Sequence, residues 1–159
     1  MSDNVVTFEE QLNKNGSLIF TNVGFSMLPM LREGKDVIHV KRYCGGGLKK
    51  YDVVLFVRPQ VSGRGHYVLH RILKENSDGS YWIVGDNNTA GENVSPECII
   101  GVLDSFVHNG KNIKVSSLTY RLYVLLWCAP YHLRFFVLRF SGRVKRFYKR
   151  RIRRLKGNK

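Results

Sequence analysis

A mainly β domain, built as an antiparallel sheet coiled on itself or closed into a barrel and followed by a basic amphipathic helix, is the fold that the sequence predicts. Three observations carry this expectation. From Leu18 to about Val115, short apolar runs rich in Val, Ile and aromatic residues alternate with turn residues, with no helical periodicity between them. Beyond Leu118 the period changes: Leu133, Val137, Phe140, Val144, Phe147 and Leu155 recur at helical spacing, with Arg and Lys between them. The charge divides near the same place. Residues 1–104 hold 11 Lys/Arg against 12 Asp/Glu, whereas residues 105–159 hold 15 Lys/Arg and no acid, so the net charge of +14 belongs to the tail.

With 159 residues, 43% of them hydrophobic, the chain can bury one sizeable core. It divides into a short helical arm (1–17), a β domain (18–117) and a basic helical tail (118–159). In the arm, Thr7 and Glu10 form a capping box and Gly16 stops the helix. Strands are expected at Ser17–Phe20, Val37–Val40, Val53–Val57, Tyr67–Leu73, Tyr81–Val84, Ile99–Val107 and Ile113–Val115. Turns are expected at Gly45–Gly47, Pro59–Gly65, Asn76–Gly79 and Asp86–Gly91. In the tail, Tyr120–Tyr131 is apolar, Pro130 breaks or kinks any helix there, and Gly142 interrupts the next one weakly.

Cys44, Cys98 and Cys128 are odd in number, widely spaced and free of any CxxC pattern. That argues against a disulfide framework or a zinc site and suits a reducing compartment. The first residues, MSDNVVTFEEQLNKNG, are polar and acidic, which reads as neither a secretory signal nor a membrane anchor.

The chemistry begins with Ser26. A hydroxyl is a weak nucleophile until a neighbouring base takes its proton. Gly24-Phe25-Ser26-Met27-Leu28-Pro29 offers a mount for an exposed serine, with Gly24 permitting an unusual backbone and Pro29 stiffening the exit. His70, inside YVLHRI, would be held rigidly by a strand. Gly85-Asp86-Asn87-Asn88 follows a strand end and offers a carboxylate to orient an imidazole.

In this order, GFSMLP, LKKYDVVLF, YVLHRI and GDNN resemble the successive catalytic-domain boxes of type I signal peptidases and the related LexA-like serine peptidases, over about Val23 to Val102. The resemblance implies Ser26 as nucleophile, its backbone N–H as oxyanion donor, and the base in the YVLHRI box. His70 stands there, as in the endoplasmic-reticulum and SipW-like branch, where bacterial signal peptidases carry lysine. That branch has a second acid six residues beyond the Asp of its G-D-N motif; the matching position is Glu92, so either Asp86 or Glu92 would orient His70. Gly34-Lys35-Asp36 departs from the family's Gly-Asp by one inserted residue, and Asn13–Asn22 stands where signal peptidases carry a membrane-spanning helix. By resemblance, the reaction would be peptide-bond hydrolysis through an acyl-enzyme, with small residues before the scissile bond and no cofactor. The substrate would be a signal peptide, or a leader peptide of the kind processed in bacterial peptide natural products.

The other histidines have weaker roles. His66 and His70 share a side of their strand, but no carboxylate or thiol at a matching spacing completes a metal site. His39 reads as a strand residue, His108 and His132 receive no role, and Arg71 points away from His70 toward solvent or a carboxylate. The tail has three readings: a solvated end, a nucleic-acid binder, or a membrane-surface helix. Trp127, Phe135, Phe136, Phe140 and Phe147 interleaved with cations favour an anionic membrane surface over nucleic acid. The expected location is therefore a membrane periphery, on the cytoplasmic face of a bacterial membrane. Two other classes stay open: a non-catalytic module that binds membrane or a partner, and a self-cleaving regulator.

Overall fold

The computed structural model describes residues 7–58 and 66–140. The expected turn Pro59–Gly65, Gly142 and the stripe positions Val144, Phe147 and Leu155 lie outside them. Helix α1, Phe8–Asn15, starts on the capping box: the Thr7 hydroxyl accepts from the Glu10 N–H at 3.2 Å, and the Glu10 carboxylate accepts from the Thr7 N–H at 2.9 Å. Gly16, with φ of 71°, closes it in the left-handed conformation that glycine adopts without strain.

The expected strands form as β1 (Ser17–Thr21), β2 (Val37–Arg42), β3 (Val53–Arg58), β4 (His66–Glu75), β5 (Tyr81–Val84), β7 (Ile99–His108) and β8 (Lys111–Lys114). One more, β6 at Glu92–Val94, escapes sequence reading because three residues are too few to show a period. All pair antiparallel in the order β1-β2-β7-β3-β4-β5-β6, with β8 on β7. Register shifts at His39/Val40, Leu55/Phe56 and Ile72/Lys74 add local twist, which curls the sheet.

The curl leaves two cores. Val53 and Leu55 point into one with Leu12, Met27, Leu31, Ile38 and Leu103; Val54 and Phe56 point into the other with Ile72, Ile83 and Ile99. Burial on both faces explains why Val53–Phe56 is continuously apolar rather than alternating.

Past β8, α2 (Leu118–Tyr123) runs into a π-helical turn at Val124–Cys128, and a third helix, α3, covers 131–140 beyond Pro130. Tyr120 belongs to the first core, so packing continues across residue 118 where the secondary structure changes. In α3 the inward side, Tyr131, Arg134, Phe135 and Leu138, includes a cation that is 2% exposed, whereas Leu133, Phe136 and Phe140 are each at least 60% exposed. No helix among the described residues is long and apolar enough to cross a membrane.

Candidate active site

Ser26 lies in the loop between β1 and β2, on a turn fixed from both sides. Gly24, with φ of 90°, donates its N–H to Glu33 Oε1 at 2.7 Å, and its carbonyl accepts from Asn22 Nδ2 at 3.0 Å. Met27, Met30 and Leu31 anchor the turn in the core, leaving Ser26 half-buried and Phe25 exposed. From across the domain, the Asn87 N–H donates to the Ser26 carbonyl at 2.7 Å, and Asn87 Nδ2 donates to the Phe25 carbonyl at 3.1 Å. Lys35 lies in the return to β2, where the Gly34 N–H donates to the Asn22 carbonyl at 2.9 Å.

His70 stands on β4 opposite Val54, buried beside Phe56 at a ring separation of 6.2 Å. Its two nitrogens meet different surroundings. Nε2 faces the Gly85 backbone and the Ser26 turn: a Cβ on Gly85 would sit 3.0 Å from Nε2, 2.7 Å from the Ser26 carbonyl oxygen and 2.9 Å from Asn88 Nδ2. Glycine is therefore required there by close approach, not by backbone angle. Nδ1 lies 3.8 Å from Glu92 Oε1, a distance for charge attraction rather than a hydrogen bond. Glu92 is held by the Arg58 fork, with Nε donating to Oε2 at 2.8 Å and Nη2 in close contact with Oε1.

Ser26 and His70 line one cleft of about 530 Å³, together with Thr21, Val23, Tyr67 and Asn88. The Ser26 hydroxyl and the His70 imidazole are not hydrogen-bonded to each other across this cleft. A smaller, mostly apolar cavity of about 200 Å³, between Pro29, Phe106, Ile113 and Tyr123 with His108 and Thr119 in its lining, shares none of the cleft's lining.

Burial is the main influence on His70 and lowers its pKa from the ordinary 6.5; Glu92 opposes it, Arg58 adds to it, and Asp86 opposes it from further away. The imidazole is thus held neutral, the state in which it can accept a proton.

Asp86 is elsewhere. Its carboxylate is fully buried in the fork of Arg71, with Nε to Oδ1 at 2.8 Å and Nη2 to Oδ2 at 2.7 Å, and it accepts from the Tyr123 hydroxyl at 2.9 Å. Of the two acids left open by the sequence, Glu92 is brought against His70 and Asp86 is turned to the other face of the sheet. Arg71, expected to point away from His70, does so into a buried ion pair rather than toward solvent.

His66 lines the cleft beside His70, and among the described residues no cluster of His, Cys, Asp and Glu is arranged to hold a metal. His39 and His108 pair with Asp104 and Asp36 at 3.3 and 2.9 Å. Arg58, Asn87 and Arg134 were not singled out from the sequence. Asn87 lay inside the quoted GDNN, but nothing in its surroundings distinguished Arg58 or Arg134 from other surface cations. No protein-family model, curated protein or solved structure matches the chain.

Proposed function

We propose that the protein is a serine endopeptidase of the signal-peptidase and LexA-like type, in its Ser-His branch, acting on a signal or leader peptide. The observation that carries this reading is the placement of His70, with Nε2 toward the Ser26 turn and Nδ1 toward Glu92. Ser26 Oγ attacks the scissile carbonyl carbon as its proton passes to His70 Nε2, and Glu92 stabilises the imidazolium so formed. The Ser26 N–H serves the oxyanion. His70 then gives the proton to the departing amine, and water repeats the sequence on the acyl-enzyme.

The cleft also suits an extended chain. β4 pairs β3 from residue 66, but its pairing with β5 begins only at Arg71, so among the described residues no strand pairs the other edge of residues 66–70 beside the cleft. A substrate strand can add there, its backbone bonded to β4 and its scissile carbonyl near Ser26.

The test is incubation of the full-length protein with a set of extended peptides carrying small residues before the central bond. Cleavage into paired fragments is expected. Acid quenching should trap an adduct on the Ser26 peptide equal in mass to the N-terminal fragment less water. A set that yields neither fragments nor adduct removes the peptidase reading, whereas loss of mass from the protein itself would favour the self-cleaving regulator.

Attachment to an anionic membrane surface through the tail belongs to the same proposal. Leu125, Leu126, Leu133, Phe136 and Phe140 are exposed on α3 and the turn before it, in the segment that holds the excess of cations. Each cation near such a surface contributes about 1 kcal/mol, screened by salt, and apolar burial is not screened. The full-length protein is expected to co-sediment with anionic vesicles, to weaken without vanishing as salt rises, and to be released when Leu126 and Phe136 are both changed to Asp. Equal retention of that double variant would overturn the apolar contribution.

A further inference from the structure

The C-terminal segment reaches the nucleophile by a short path of bonded atoms. Tyr123 donates to Asp86 Oδ2 at 2.9 Å, Trp127 Nε1 reaches the Asp86 carbonyl at 3.4 Å, and Arg134 Nη1 lies 3.6 Å from Oδ1. The next residue, Asn87, donates to the carbonyls of Ser26 and Phe25. Whatever fixes the Asp86–Asn87 backbone therefore fixes the turn that presents Ser26.

Arg71 and Arg134 do not contribute equally. Arg71 is fully satisfied: its Nη1 also donates to the Tyr51 carbonyl at 2.8 Å and the Tyr120 hydroxyl at 2.9 Å. Arg71 alone would leave the buried pair neutral. Arg134 adds a second buried cation, and among the described residues its Nε, Nη1 and Nη2 have no hydrogen-bond partner. A buried guanidinium without hydrogen bonds is unfavourable, and an apolar side chain of similar length would pack there more cheaply. Its presence adds to stability little that a methionine would not, and it attracts Asp86 Oδ1, the oxygen that also accepts from Arg71 Nε.

We propose that Arg134 and Tyr123 are positioning residues: by holding Asp86 they set the Asn87 bonds to the Ser26 turn, so the C-terminal segment completes the active site. For turnover this rests on the serine-peptidase reading above; the link from Arg134 to Asn87 does not.

The test uses the full chain with Arg134→Met, Arg134→Lys and Tyr123→Phe. Hydrogen exchange at the Asn87 amide is expected to quicken at least ten-fold in Arg134→Met, with Val40 and Leu103 in the first core unchanged, and Arg134→Lys should restore part of the protection. Peptide cleavage should lose at least ten-fold in kcat with KM within two-fold, and Tyr123→Phe should act in the same direction. If Asn87 exchange responds but the unmodified protein cleaves nothing, the positioning stands and the peptidase reading falls. Unchanged Asn87 exchange in both Arg134→Met and Tyr123→Phe, or equal quickening throughout the core, overturns the positioning.

Discussion

Ser26→Ala is expected to abolish peptide cleavage, with kcat/KM falling by about 10⁴-fold or more, the scale on which nucleophile and base act in Ser-His catalysis. His70→Ala should lose a comparable factor. The informative variant is the double one. Nucleophile and base act on the same proton in the same step, so removing both should cost little more than removing either. Single-turnover cleavage of one peptide by the three variants measures this, with thermal melting as the control for folding. Ser26 is half-buried at the rim of its turn, and losing its hydroxyl leaves no buried group without a partner. If either single variant retains a tenth of the activity, or if the losses multiply in the double variant, the two residues do not form a catalytic unit.

Asp86→Asn and Glu92→Gln should separate stability from turnover. Asp86→Asn leaves Arg71 and Arg134 buried against a neutral amide, and breaking a buried ion pair from one side costs about 3–5 kcal/mol. That is a large share of the roughly 5–15 kcal/mol holding a domain folded, so denaturant titration should show a much earlier midpoint. Glu92 is partly exposed, and its pair with Arg58 contributes little to folding. Glu92→Gln should melt like the unmodified protein while turnover falls on the order of ten- to a hundred-fold, the scale of losing a charge attraction of about 1–3 kcal/mol on the imidazolium.

The pH profile adds a sign. His70 accepts a proton only when neutral, so kcat/KM should be level above the ordinary 6.5 and fall on acidification through a folded pKa below it. Glu92 raises that pKa, so Glu92→Gln should move the acid limb to lower pH. Stability follows the same direction: below 6.5 the unfolded chain takes up the proton that folded His70 still refuses, so stability declines until the folded pKa is passed. An Asp86→Asn protein that melts normally, keeps Asn87 exchange slow and still fails to cleave would assign the orienting role to Asp86.

Strand positions were legible because alternating or continuous apolar runs between turn residues report burial directly, and Val53–Val57 and Tyr81–Val84 lie where those runs put them. Which acid meets His70 was not legible, because it depends on cross-strand register. Val84 pairs with Arg71, so Asp86, two residues on, shares the face of Arg71. Glu92 pairs with Ile83, and Ile83 with Ile72, which shares the face of His70. One register step would exchange the two acids, and nothing local to GDNN reports that step. The burial of Arg134 was hidden for a related reason: its helix shows apolar residues at every turn, and only the packing reveals that Arg134 turns inward beside Tyr131, Phe135 and Leu138 while Arg139 stays exposed.

The strand order also bears on when the Ser26 turn and His70 come together during synthesis. Ser26 follows β1 and His70 sits on β4, but within the sheet the strands carrying them are joined only through β7, inserted between β2 and β3. β7 is Ile99–His108, made after both residues have left the ribosome. A nascent chain ending before it holds nucleophile and base on two separate hairpin-like pieces with no shared sheet between them. Their meeting waits for pairings of long sequence separation, which form late and slowly. If the peptidase proposal holds, a chain built in this order stays inert while it is still unfolded and most open to cleavage.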